Sequence, residues 1–395
     1  MDVSDHGGPL RTRDSGEQRV TPLELFFDLV FVFAVTQLSH LLLDHLSIRG
    51  VLETLFLLLA VWWAWVYTAW FTNWFDPDRL PVRLVLVAVM LASLLMSVAI
   101  PEAFGERGLM FALAFVAIQV GRTAFAVLAL YGASHPLSGT FWRILTWLVA
   151  AGVLWVAGGL VEGGARYVLW LLALAVDYAG PVMRYRTPGL GSSRTEEWTI
   201  EGTHFAERCQ LFIIIALGES ILVTGTTFGE IEASAVTVCA FVVAFLGSVA
   251  LWWIYFARSA EAAREVFTSS EDPGRLGRSA YTYFHLPMVA GIIAVAAADE
   301  LTVAHPGEPG TLASITLTLG GTALFLAGHA LFKWAVFGVL PFSHAVAVAA
   351  LMALIPVGFA IPTLALSGAA GLIVVGLAVW DTLAYGHMRS PRRAT

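Results

Sequence analysis

Runs of roughly 18 or more apolar residues recur along the whole chain, and each is long enough to cross the hydrocarbon core of a bilayer as a helix. Nothing else in the sequence narrows the fold as much. In lipid every backbone N–H and C=O must be satisfied internally, so segments of this kind can cross only as helices. Approximate spans are 23–43, 51–72, 82–100, 108–131, 143–161, 165–184, 205–226, 235–258, 281–299, 311–332, 343–365 and 368–387. The breaks between them are rich in Pro, Gly and charge: Asp76-Pro77, Pro101-Glu102, His135-Pro136, Gly158-Gly159, 186–201, Asp272-Pro273 and Pro306 to Gly310. Charged residues make up 13% of the chain, about half the share that coats an ordinary soluble domain.

Lys and Arg orient such a chain, because they accumulate on the cytoplasmic side. With the amino terminus in the cytoplasm, seventeen fall on that side. The opposite side holds Arg49, Arg107 and Arg166, and Arg122 and Arg208 lie within spans, which accounts for all 22. A miscounted helix would scramble this parity. The reading is an all-α integral membrane protein of about twelve transmembrane helices in the cell membrane, with both termini cytoplasmic. The first span contains Glu24 and Asp28 and has no small-residue cleavage site, so it reads as a retained helix rather than a signal peptide.

The halves of the chain resemble each other. Trp62-Trp63 answers Trp252-Trp253, Asp76-Pro77-Asp78-Arg79-Leu80 answers Asp272-Pro273-Gly274-Arg275-Leu276, and Glu102 answers Glu300. Gly121-Arg122 answers Gly328-His329, and Asp177 answers Asp381. An even number of spans per half means that both halves enter from the same side, giving two parallel six-helix repeats. The expected layout is a cytoplasmic tail over 1–22, a first repeat over 23–184, a linker over 185–204, a second repeat over 205–387 and a cytoplasmic tail over 388–395.

Ionisable residues inside apolar helices are costly, so they pair or line a cavity. Glu24 and Asp28 are four apart and share a face. They are read either as a helix cap at the headgroups or as an ion or proton site at the cytoplasmic mouth. His204, Glu207 and Arg208 open the seventh span. Glu219 lies three turns beyond Arg208, about 16 Å away at 1.5 Å per residue, too far to pair with it. Gly218 beside Glu219 is read as room for a close backbone approach. Arg122 calls for a carboxylate among Glu24, Asp28, Asp177, Glu207 and Glu219. Acids then outnumber bases within the spans, which points to proton or cation handling; the alternative is that Glu24, Asp177 and Glu207 reach water. His329 and Lys333 are four apart, with Lys333, the lone lysine, snorkelling to the interface. Trp62, Trp63, Trp65, Trp70 and Trp74 are read as interface anchors.

Cys209 and Cys239 have no metal-ligand spacing, and no metal site is expected. No Walker, nucleophile-elbow, His-Glu-x-x-His or dinucleotide motif appears, so no cofactor is implied and no enzyme activity is assigned. There is no basic patch for nucleic acid. The expected partners are membrane lipids and a small solute or ion.

Thr21-Pro-Leu-Glu-Leu-Phe-Phe-Asp-Leu-Val-Phe-Val-Phe-Ala-Val-Thr-Gln37 and His204-Phe-Ala-Glu-Arg-Cys-Gln-Leu-Phe-Ile-Ile-Ile-Ala-Leu-Gly-Glu-Ser220 resemble the two hallmark stretches of the bacterial low temperature requirement protein A family. Gln119-Val-Gly-Arg122 fits as well, and the resemblance spans essentially the whole chain. It implies a polytopic membrane protein named for a cold-growth phenotype, and it transfers no catalytic residues. It also implies a polar or basic residue after the Glu-Arg pair, where this chain has Cys209. Two functions follow: a proton- or ion-coupled secondary transporter of a small solute, or a non-transporting sensor, lipid-interacting factor or lipid-modifying enzyme.

Overall fold

Long apolar segments punctuated by Pro and Gly fold into helices throughout the computed structural model, which describes residues 8–11, 19–132, 135–193 and 200–389. In order the helices are α1 Pro22–Asp44, α2 Ile48–Trp74, α3 Leu80–Glu102, α4 Gly108–Ala129, α5 Pro136–Leu160, α6 Gly164–Val182 and α7 Gly202–Glu230. They continue with α8 Ala235–Phe256, α9 Ser259–Thr268, α10 Pro273–Ala304, α11 Leu312–Phe337, α12 Phe342–Gly358 and α13 Thr363–Arg389. Among the described residues, ten helices are long and apolar enough to cross a membrane; α6 and α12 are not among them. Helix α12 stops short of the expected 343–365 span. Pro356 has no N–H for the helical ladder, the α-helix gives way at Leu354, and the chain turns before restarting at Thr363. Of the basic residues that set the orientation, Arg13, Arg194, Arg392 and Arg393 lie outside the described residues.

The chain divides into two units. The first comprises residues 1–41, 49–208 and 270–277, and the second residues 42–48, 209–269 and 278–395. The division falls within α7, between Arg208 and Cys209.

In the first unit α5 packs against α4 and α6. Gly158 and Gly159, expected at a break, lie inside the last turn of α5 and permit this approach. A Cβ on Gly158 would sit 2.6 Å from Trp170 Nε1, and one on Gly159 would sit 2.9 Å from the Leu109 backbone. Trp155, Trp170, Phe111 and Phe115 fill the space between these helices. Trp62, Trp63, Trp65, Trp70 and Trp74 are buried, which corrects their reading as interface anchors: α2 turns them into the protein interior.

In the second unit α10 packs against α11 through small residues. A Cβ on Gly291 would meet Phe325 N at 2.6 Å and Gly321 O at 2.7 Å. Such closeness is how helices associate in lipid, where apolar burial gives no driving force. By contrast, among the described residues a Cβ on Gly218 meets nothing within 4 Å, so none of them makes the close approach expected beside Glu219. Both units contain π-helical turns within long helices, among them Ala117–Gly121 and Thr316–Gly320.

Candidate functional site

The first unit buries an ionic cluster where α1, α2 and the start of α7 meet. Its acids come from one face of α1, as the four-residue spacing of Glu24 and Asp28 predicts. Its bases, His204 and Arg208, have the same spacing on α7. Glu24, Asp28, His204 and Arg208 are each 0% exposed.

Arg208 binds Asp28 with a two-pronged grip, Nη2 donating to Oδ1 at 2.6 Å and Nε to Oδ2 at 3.2 Å. Its Nη1 donates to Glu24 Oε1 and Thr72 Oγ1, both at 3.1 Å. Planar guanidinium suits this bidentate geometry and lysine does not. The rings of Phe27 and Trp65 lie 5.5 and 5.8 Å from the guanidinium carbon, and Trp65 Nε1 donates to Asp28 Oδ1 at 2.8 Å.

Five donors converge on Glu24: Arg208 and His204 on Oε1, and Arg11, Thr21 N and Thr21 Oγ1 on Oε2. That is the complement of an ionised, acceptor-only carboxylate. The Thr21 contacts form a capping box, since Glu24 N also donates to Thr21 Oγ1 at 3.4 Å. Glu24 therefore both caps α1 and takes part in the buried cluster.

Arg11 arrives from the amino-terminal segment. Backbone bonds from Arg11 N to Trp74 O and from Asp76 N to Pro9 O lay this segment along the end of α2. Arg11 Nη2 reaches Glu24 Oε2 at 3.0 Å while its Nε donates to Thr72 O. With Arg11 counted, two carboxylates face two guanidiniums. The surplus of acid expected from the spans does not arise here.

Asn73 fixes the tautomer of His204. Glu201 N donates to Asn73 Oδ1, and Asn73 Nδ2 donates to Glu201 O, both at 2.9 Å. This orients the amide, so its second N–H donates to His204 Nδ1 at 3.1 Å. His204 Nε2–H then donates to Glu24 at 2.8 Å. The Glu201 carboxylate accepts from His204 N at 2.6 Å and from Thr203 N at 3.3 Å, capping α7.

Arg122, also in the first unit, finds none of the carboxylates expected for it. It donates to Thr68 Oγ1 at 2.8 Å, Gln119 Oε1 at 2.6 Å and Ala64 O at 3.4 Å, and lies 5.5 Å from the Tyr67 ring centroid. Hydroxyl, amide and carbonyl dipoles around the π turn at 117–121 take the place of a counter-ion. Asp177 is buried rather than water-facing and accepts from Trp155 Nε1 at 2.9 Å. Glu207 is half-buried.

In the second unit Glu219 is buried at 3% exposure. His329 begins a chain of polar contacts. Its Nδ1 lies 2.8 Å from His344 Nε2, and His344 Nδ1 lies 3.3 Å from Ser343 Oγ. Ser343 donates to Asp381 at 2.8 Å, and Lys333 donates to the other Asp381 oxygen at 3.0 Å. One donor direction satisfies the chain, from His329 through His344 and Ser343 to Asp381. Among the described residues no group of three His, Cys, Asp or Glu is placed to hold a metal.

The sequence profile of the bacterial low temperature requirement A protein, LtrA, matches residues 19–379. The chain belongs to the LtrA family. It is 39% identical to the uncharacterized protein RA0937 of Rhizobium meliloti (strain 1021), over 98% of this chain and 95% of that one. No solved structure matches. The two LtrA-like stretches quoted above are the ones that carry Glu24, Asp28, His204 and Arg208, so in this LtrA chain they serve a single buried cluster. Sequence reasoning did not identify Arg11, Thr72, Asn73, Trp65 or Glu201 as members. Asn73 was detectable as a lone amide at the end of an apolar, aromatic helix.

Proposed function

We propose that this LtrA chain is an ion-coupled secondary transporter of a small solute in the cell membrane, with both termini cytoplasmic. On this reading α6 and α12 cross as well as the ten longer helices, and the spans form two parallel six-helix repeats. A π turn in the fourth long helix of each unit, Ala117–Gly121 and Thr316–Gly320, supports the duplication. The observation that carries the transport reading is the burial of ionisable side chains within apolar helices of both units: the Glu24–Asp28–His204–Arg208 cluster in the first, and Glu219, Asp299 and His329 in the second. Intramembrane ionisable groups mark ion and substrate paths.

The test uses purified protein in liposomes loaded with a pH-sensitive dye, exposed to panels of amino acids, sugars and organic cations under an imposed gradient. Transport predicts that at least one solute changes lumenal pH in proteoliposomes and not in protein-free liposomes. Glu219→Gln then alters the pH dependence while the protein stays folded. If no solute and no proton moves under any gradient, the reading fails.

A second reading, a lipid-interacting factor, is favoured by one feature of the second unit. A cavity of about 340 Å³ has Arg258, Lys333 and Asp381 in its lining. It shares Trp253, Ala378 and Thr382 with an apolar cavity of about 390 Å³ between α8 and α13. Phospholipid retained through purification, and lost in Lys333→Leu, would support this reading over transport.

A further inference from the structure

Asp299 is a buried carboxylate with almost nothing bound to it. It lies on α10 at 6% exposure. Its one hydrogen bond among the described residues comes from Ser220 Oγ to Oδ2, at 3.5 Å. No Arg, Lys or His there pairs with it. By contrast, buried Glu24 and Asp28 each face a guanidinium and buried Asp177 accepts from an indole N–H at 2.9 Å. An ionised group in such a place requires a counter-charge.

The surroundings of Asp299 supply oxygen rather than nitrogen. It opens onto a cavity of about 30 Å³ that is also lined by Thr318, Thr322 and Ser367. That exceeds the roughly 10–15 Å³ needed to hold a water-sized ligand. The hydroxyl proton of Thr322 is committed to Thr318 O at 2.7 Å, which leaves its oxygen lone pairs free to face the cavity. Thr302 donates to Ala298 O at 2.8 Å, so the 3.1 Å contact between Thr302 and Ser367 has Ser367 as donor. Ser367 is thereby also left with oxygen lone pairs. The Thr318 hydroxyl has no hydrogen bond among the described residues. Thr318 lies in the π turn Thr316–Gly320; such turns in helices mark functional sites with unusual frequency. Ser220, the donor to Oδ2, lies 3.2 Å from Ser248.

We infer that this cavity is a sodium-binding site, with Asp299 supplying the negative charge and Thr318, Thr322 and Ser367 supplying neutral oxygen ligands. Hard cations take oxygen ligands, and every lining polar group offers one. A single carboxylate balances a monovalent ion. A calcium or magnesium site would call for more acids, and Asp299 is the one acid among the described residues that line the cavity. The site stands on its own geometry and does not require that the chain transport anything.

The experiment measures binding rather than flux, so its failure is distinct from failure of the transport reading. Purified full-length protein in detergent is titrated with NaCl against choline chloride at constant ionic strength. Thermal unfolding is followed by tryptophan fluorescence, and radioactive sodium binding is measured in parallel. The expected result is a saturable rise in Tm with sodium, absent with choline, and one ion bound per chain. Asp299→Asn should weaken sodium affinity at least thirtyfold (about the effect of removing one member of a buried charge pair). Thr318→Val, which preserves shape, should weaken it severalfold. The exposed variant Glu261→Gln should bind as the parent does. Should Asp299→Asn fail to fold, Thr318→Val carries the test. Absence of sodium stabilisation and binding in the folded parent, or parental affinity in Thr318→Val and Asp299→Asn, overturns the proposal. A response to pH alone would assign Asp299 a proton and overturn it too.

Discussion

Replacing Arg208 with Met should destabilise the protein by about 3–5 kcal/mol, the cost of removing one partner from a buried ion pair. The effect falls unevenly on the two acids. Glu24 loses one of five donors and keeps Arg11, His204 and both Thr21 groups. Asp28 loses both prongs of Arg208 and keeps only Trp65 Nε1–H. Asp28 is thus left as a buried carboxylate with one hydrogen bond, and it accounts for most of the loss. The same logic makes the pair non-additive. If Asp28→Leu is combined with Arg208→Met, the stranded carboxylate is gone, and the double variant should recover about 2–3 kcal/mol relative to the sum of the single changes. Against a net stability of about 5–15 kcal/mol for a folded domain, the single change consumes a large part. Reversible unfolding in mixed micelles, read by the 14 tryptophans, measures all four corners of the cycle. A cost below about 1 kcal/mol for Arg208→Met, or strict additivity, would refute the argument.

Other outcomes follow from single contacts. Gly291→Ala pushes a Cβ into the Phe325 backbone at 2.6 Å and should cost about 1–3 kcal/mol as overpacking, whereas Gly218→Ala, with nothing within 4 Å, should leave stability within about 0.5 kcal/mol; unfolding curves of the two variants compare them directly. Arg122→Lys keeps the charge but loses the fork that spans Thr68 and Gln119. It should lower stability by about 1.5–3 kcal/mol, the worth of one hydrogen bond to a charged group. An unchanged Tm in that variant would mean that the dipoles around Arg122 are not what holds it. Trp65→Phe removes the last neutral donor to Asp28 and should cost about 1–3 kcal/mol, with a smaller effect when Asp28 is already Leu.

The parts of this account legible in the sequence are those set by periodicity. The spacing of Glu24 and Asp28, and of His204 and Arg208, put two acids and two bases on single helix faces, and these are the residues that meet. Apolar length marked the helices, though Gly158-Gly159 lie inside α5 rather than at a break, and at Pro356 the ladder ends well before hydropathy suggested. What sequence could not supply was long-range pairing. Arg11 sits in a polar tail and reads as solvated, yet the pairing of that tail with Trp74 and Asp76 carries it to Glu24. Arg122 was matched with carboxylates because charge was counted and dipoles were not. The tryptophans of α2 look like interface residues by type, and only packing shows them to be interior. Asp299 was passed over for its neighbour Glu300, since one residue along a helix turns the side chain by about 100° and the pattern alone does not say which of the two faces inward.

Charge displacement by the protein in a supported membrane is the measurement closest to the central claim, that buried ionisable groups in these helices handle ions. Proteoliposomes adsorbed to a capacitive electrode are switched rapidly from choline to sodium, and separately from one pH to another. The account predicts a transient current that is absent from protein-free liposomes and is diminished in Asp299→Asn for the sodium step. Folded protein that yields no current above the lipid background in either exchange would contradict it.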